Sequence, residues 1–220
     1  MQRRRLFWLA ATILVGTQGA CVHPQASTNR PDNRTEELTQ QLIVQWHRES
    51  PDPTSVLRQP AQPVSPDDDL PGLLQQLREA LTKTGGVGIA APQIGVSRRV
   101  FLIKHGTRPS GQPIVVRAYI DPELLSYSDE TEADYEACLS VASVGGQLPR
   151  AKRLRLRFTP ESGGPRQEIE LVDWDARIAQ HELDHLDGKL YIDRVGEPLI
   201  SIAEMRRRRD EGHRARGWIK

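Results

Sequence analysis

The run His181-Glu182-Leu183-Asp184-His185 constrains this chain more than any other stretch. Its two histidines are four residues apart, and on an α-helix that spacing stacks them on one face, where both imidazoles reach a single cation. Glu182 stands beside the first of them, where it can face a water on that cation without binding the metal itself. Trp174 and Ile178 continue the same stripe upstream (174, 178, 181, 185), so the ligand face is also the buried face. Asp173 is expected as the N-cap and Gly188 as the residue that stops the helix, which gives about four turns. A buried helix with two satisfied histidines would spell the same letters, so the assignment turns on a third ligand.

Composition narrows the setting. At 220 residues the chain suits one domain plus an appendage. Basic and acidic residues balance at 30 against 29, so no field for polyanions is implied and nucleic acid is not expected as a partner. Only 37% of residues are apolar, but the polar and proline content is concentrated before residue 70, and the remainder can bury a proper core. The run Arg206 to Arg209 is followed at once by Asp210 and Glu211, and reads as a solvated helix face.

The first 21 residues read as an export signal. Arg3, Arg4 and Arg5 form a basic start, and Leu6 to Val15 an apolar core too short to span a bilayer. Gly19-Ala20 precedes Cys21, an arrangement that resembles a bacterial lipoprotein signal, although Gln18 stands where that pattern prefers leucine. The expectation is an exported protein, periplasmic or membrane-anchored through a lipid on Cys21, with a cytoplasmic location as the alternative. Residues 22–41 are polar and read as a disordered tether.

Leu42 to Trp46 is a short apolar run at the start of the folded part, and Pro51, Pro53, Pro60, Pro63 and Pro66 predict extended chain after it. Between Asp67 and Thr84, Leu70, Leu73, Leu74, Leu77 and Leu81 recur at helical spacing. Strands are expected at Arg99 to Lys104, Ile114 to Ile120, Arg153 to Phe158 and Gln167 to Val172. After the motif helix come Leu190-Tyr191-Ile192 and a helical segment near Ile200 to Arg209. Strands joined by turns, with few helices, predict an α+β fold with antiparallel sheet.

Two further stretches bear on chemistry. Cys138, in Glu136-Ala137-Cys138-Leu139-Ser140, would as a thiolate complete a Cys-His-His set and leave the fourth position of a tetrahedral metal for water. A lone cysteine is more often a small buried hydrophobe. Gly86-Val87-Gly88-Ile89-Ala90-Ala91-Pro92-Gln93 has no lysine to hold a phosphate, and its glycines predict backbone left open for close approach by a ligand. Gln93 offers an amide donor to a developing oxyanion.

With these three stretches in this order, residues 42–195 resemble the peptide deformylases, which carry G-x-G-[IL]-A-A-x-Q, E-G-C-L-S and H-E-x-D-H-L. Leu148-Pro149-Arg150 is similar to that family's step after the cysteine. The resemblance implies antiparallel sheets around a central metal-binding helix; residues 196–220, beyond it, read as a helical, basic tail. It implies that Cys138, His181 and His185 bind the metal, ferrous iron in the family with zinc or nickel often in its place. Glu182 would be the acid/base, and Gln93 with the backbone N–H of Leu139 would hold the oxyanion. The substrate would be an N-formylated peptide, shedding formate and lying as an added strand along Val87-Gly88 near Ala137. Glu136 and Arg150 would pair to brace the cysteine loop.

Two departures stand out. Ala137 replaces the family's glycine, which predicts a methyl group beside a ligand, and Val141 to Gly146 is small and neutral where the family has an apolar-proline step and a basic residue. Export also sits awkwardly with a substrate made in the cytoplasm and with an oxidisable thiolate–iron site. Two rival readings are an H-E-x-x-H metallopeptidase, with Asp193 or Glu197 as third ligand, and a deformylase-like lipoprotein that only binds.

Overall fold

The computed structural model describes Glu37 and residues 41–107, 113–196 and 198–215. The export signal, Cys21 and most of the tether lie outside these residues. None of the described helices is long and apolar enough to cross a membrane.

The leucine stripe forms α1 (Leu70–Lys83), whose N-terminus is capped by the Asp69 carboxylate accepting from the Gly72 amide at 3.0 Å, with Pro71 in the first turn. Five strands then build an antiparallel sheet: β1 (Gly88–Ala90), β2 (Val100–His105), β3 (Val115–Tyr127), β6 (Arg153–Thr159) and β7 (Gln167–Val172), in spatial order β1-β2-β3-β6-β7. Between β3 and β6 the chain makes the hairpin of β4 (Thr131–Cys138) and β5 (Val141–Ala151). The motif helix is α2 (Asp173–Leu186).

The five-stranded sheet lies between the two helices, and strand alternation supplies both cores. Phe101, Ile103, Tyr119, Leu154, Leu156 and Phe158 pack against Ala176, Ile178, Ala179, Leu183 and Leu186 of α2. Leu102, Ile120 and Ile89 pack with Leu73, Leu74, Leu77 and Leu81 of α1 on the other face. A third cluster joins Cys138, Val141 and Leu148 of the hairpin to Leu57, Leu190 and Tyr191. The architecture is α+β, with the metal-motif helix buried at the centre.

Several expectations need correction. The hairpin β4–β5 replaces the loop expected around Cys138, which sits at the end of β4 beside the turn Leu139-Ser140. Its inward residues are Asp134, Glu136 and Cys138, so the alternation is polar and leaves no hydrophobic period to read. β3 runs on to Tyr127, past Asp121 at φ +47° and a register shift between Ile120 and Glu123, an irregularity that reads in sequence as a stop at Pro122. Asp173 is the first helical residue, at φ +49°, and Val172 occupies the cap because β7 enters α2 without a loop. Gly188 follows the helix end at φ +70°, where a Cβ would meet the Arg58 backbone at 2.9 Å. The proline-rich stretch is non-helical apart from a 3₁₀ turn at Val56–Arg58, and its Ala61 amide caps the Leu186 carbonyl at 2.8 Å.

Residues 198–215 lie against the hairpin. β8 (Ile200–Ser201) pairs with β5, and α3 (Ile202–Ala215) packs on the hairpin through buried Met205 and His213. A Cβ on Gly145 would meet Met205 Cγ at 2.7 Å, and one on Gly146 would meet Val195 Cγ2 at 2.7 Å. The small, neutral stretch Val141 to Gly146 is thus the floor on which this segment lies. Arg207 and Arg208 pair with Glu204, and Arg207 also with Glu211, as a solvated helix face does.

Candidate metal centre

Cys138 from the hairpin end and His181 and His185 from α2 converge: their ligand atoms all lie within 4.8 Å of one another. Cys138 Sγ is 3.2 Å from His185 Nε2. Bond lengths of about 2.0 to 2.3 Å put tetrahedral sulfur and nitrogen ligands about 3.5 Å apart, so this pair needs little movement to share an ion. One thiolate with two imidazoles suits zinc, ferrous iron or nickel better than magnesium or calcium.

The surroundings prepare each ligand. Burial alone would raise the Cys138 thiol, but the charges and hydrogen bonds of His185 and His181 hold it well below its ordinary range. The Ser140 amide donates to the sulfur at 3.3 Å. His181 Nδ1 lies 3.0 Å from Glu136 Oε2, which turns Nε2 towards the ligand cluster. Burial opposes a charged His181, yet Cys138 and Glu136 hold its pKa well above the usual value. A cation entering this set needs the thiolate and a free nitrogen on each ring, so any proton the ligands hold leaves as it binds.

Glu182 is buried, and its Oε2 is one of two buried side-chain atoms without a hydrogen-bond partner among the described residues; the other is His185 Nδ1. An unpartnered carboxylate oxygen beside three convergent ligands fits a site that takes a cation with its water. Burial raises Glu182 to about 7, only partly offset by the nearby histidines. Gly88 lies against it: a Cβ there would come within 2.3 Å of Glu182 Oε1. At Gly88 the space expected for a ligand's close approach is taken instead by this carboxylate and by Ile178 of the same helix.

Gln93 is held the other way round. Its Oε1 accepts from the Ala90 amide at 2.8 Å, which fixes the amide so that Nε2 points at Cys138 Sγ (3.6 Å) and Ser140 Oγ (3.4 Å). The segment before the prolines stitches the two turns together. Val44 N donates to Gln93 O and Trp46 N to Ser140 O, both at 2.7 Å, and Gln45 Nε2 reaches Leu139 O at 3.1 Å.

Val87 and Gly88 lie at the start of β1, the edge strand of the sheet, with Val87 O accepting from Lys104 N at 2.8 Å. Ala137 is exposed and alternates with the inward Glu136 and Cys138, so its methyl group faces away from the ligands rather than beside one. Glu136 and Arg150 form a two-point contact, Nε to Oε1 at 3.0 Å and Nη2 to Oε2 at 2.9 Å. Arg150 reaches on to Asp184 Oδ2 at 2.6 Å. Asp193, the rival third ligand, is instead paired with Arg58 and the Leu190 amide, and Glu197 lies outside the described residues.

Sequence reading missed Arg177, Gln180 and Asp184, all buried on α2. Arg177 was the readable one, since it stands one turn before His181 on a helix that the metal motif already marks as buried.

The sequence pattern of polypeptide deformylases matches residues 44–199, and that stretch contains all three convergent ligands. The chain belongs to the polypeptide deformylase family. The peptide deformylase of Thermotoga neapolitana is 38% identical over 163 residues, spanning 74% of this chain and 94% of its own length. That of Thermotoga petrophila is 39% identical over 141 residues, 64% of this chain and 81% of the relative. The solved Thermotoga maritima deformylase superposes with a TM-score of 0.61 at 35% identity, over 71% of this chain and 99% of that one. A class I type b deformylase from Acinetobacter baumannii, solved with Met-Ala-Ser bound, gives 0.61 at 30% identity, over 70% and 96%. As a deformylase the chain is a metal-dependent hydrolase that removes the N-formyl group from peptide N-termini, and neither the metallopeptidase nor the binding-only reading is favoured.

Proposed function

We propose that Cys138, His181 and His185 hold the metal, that Glu182 moves the protons, and that Gln93 and the Leu139 amide receive the oxyanion. The observation that carries this assignment is the convergence of three ligand atoms within 4.8 Å beside the unpartnered Glu182 carboxylate. A divalent cation in that position lowers the pKa of a water towards about 7 and polarises the formyl carbonyl.

Glu182 takes a proton from the attacking water as its oxygen bonds to the formyl carbon. Glu182, with a buried carboxylate oxygen that has no partner among the described residues, is placed to both accept that proton and return it. The formyl oxygen gains charge as the centre becomes tetrahedral, and Gln93 Nε2 and the Leu139 N–H donate to it, each donor contributing about 3 kcal/mol. Glu182 then delivers the proton to the departing nitrogen, the C–N bond breaks, and formate and a free amine leave. The peptide adds along the open side of β1 at Val87-Gly88 and passes Ala137, a use of an edge strand that needs only backbone hydrogen bonds.

The metal is ferrous iron on family grounds, with zinc or nickel as substitutes. The leader argues for an exported enzyme tethered by a lipid on Cys21 and acting on N-formyl peptides outside the cytoplasm, where zinc would resist the oxidation that threatens an iron–thiolate site. Formate release from formyl-Met peptides by anaerobically purified protein, with metal content measured alongside, tests the activity. Fractionation with palmitate labelling tests the location, and full-length protein in the cytosol would overturn export.

A further inference from the structure

Arg177 has no part in the reaction scheme, yet it is buried against the carboxylate that orients a metal ligand. Its Nη1 lies 2.8 Å from Glu136 Oε1 and 3.3 Å from the Leu148 carbonyl, and its Nη2 donates to the Glu132 carbonyl. One side chain from α2 therefore grips both strands of the hairpin that ends in Cys138.

The Glu136 carboxylate is filled on all sides. Oε1 accepts from Arg150 Nε at 3.0 Å and Arg177 Nη1 at 2.8 Å, and Oε2 accepts from Arg150 Nη2 at 2.9 Å and faces His181 Nδ1 at 3.0 Å. Arg150 holds it from β5, but Arg150 also divides its guanidinium with Asp184. Held by Arg150 alone, the carboxylate keeps its two-point contact but is placed by a guanidinium carried on β5. The second hold comes from the same helix as His181, one turn earlier, and fixes the carboxylate plane relative to that imidazole.

We propose that Arg177 is a positioning residue of the metal site: it locks Glu136 and the hairpin against α2, so that His181 Nε2 and Cys138 Sγ meet at one ion. The inference rests on the metal assignment above, and cobalt(II) uptake by the metal-free protein, followed by its absorption spectrum, separates the two. Arg177→Met should weaken cobalt binding about 10- to 100-fold and shift the bands. At saturating cobalt its kcat should fall while KM for a formyl peptide holds within about twofold, because the loss lies in the reacting geometry and not in peptide binding. Arg177→Lys keeps a charge for Glu136 but has no second nitrogen for the hairpin carbonyls, and should fall between. Arg98→Met, which breaks a pair with Asp68 away from the site, should leave the spectrum unchanged.

Folded Arg177→Met that binds cobalt as the wild type does, with the same bands, overturns the proposal. If that variant does not fold, Arg177→Lys decides on the same criteria, and if neither folds Arg177 is simply structural and the proposal fails. Wild-type protein that takes up no cobalt overturns the metal assignment instead.

Discussion

Replacing Gly88 by alanine should disable the general base while leaving the metal ligands in place. The added Cβ would stand 2.3 Å from Glu182 Oε1 and 2.7 Å from Ile178 Cγ2. Ordinary carbon–oxygen contacts are about 3.3 Å, so the carboxylate must retreat by about 1 Å, a displacement that can cost about 100-fold in rate. The 2.7 Å approach to Ile178 Cγ2, on a β-branched side chain buried on α2, must be relieved as well and adds to the cost in stability. The expected cost in stability is about 1–3 kcal/mol, typical of one extra methyl group in a packed site. Gly88 is not among the positive-φ glycines, so alanine brings no backbone strain and the effect is steric alone. The three metal ligands are absent from the nearest neighbours of the added atom, so metal content should stay at the wild-type level. Formate release and metal content, measured on the same sample, check both halves. A kcat within about threefold of wild type would refute the claim that Gly88 makes room for a working Glu182.

Three other outcomes follow from the same geometry. Cys138→Ser should lose the metal, because one of three protein ligands and its thiolate charge go; elemental analysis of the purified variant checks it. Gln93→Glu puts a charged acceptor where a donor faces the oxyanion, and turnover should fall about 100- to 1,000-fold with metal retained. Burial alone would raise the Glu136 carboxyl, but His181 and Arg150 hold it well below 4.5, so the stability it contributes is present above the unfolded value and lost as pH falls beneath it. Chemical denaturation of the metal-free protein should accordingly show little contribution from this group to the pH dependence between pH 7 and 5 and a falling midpoint below about 4.5. Glu136→Gln should start lower and fall less.

The metal helix and the α1 helix were legible because their hydrophobic periods are intact: the leucines of α1 and the stripe through Ile178, His181 and His185 repeat at helical spacing and are largely buried. The strands β6 and β7 were legible for the same reason at a period of two, and β2 as a short continuous apolar run buried on both faces. The hairpin β4–β5 was not, and it holds one of the three candidate ligands and the carboxylate that faces another. Its inward positions are Asp134, Glu136 and Cys138, facing Arg150, Arg177, His181 and His213 from other elements. In a core built from ion pairs each strand shows polar letters inside, so its period disappears from the sequence and survives only in the pairing of charges across elements. That is also why the roles of Arg177 and Asp184 stayed hidden beside histidines that were plain, even though the one-turn spacing of Arg177 from His181 could have marked it as buried. Their partners are 41 and 34 residues away, and no spacing within the helix says which residues those are. Removing either member of such a pair strands a buried charge, at a typical cost of about 3–5 kcal/mol, so this polar core should tolerate single substitutions worse than the apolar stripe beside it.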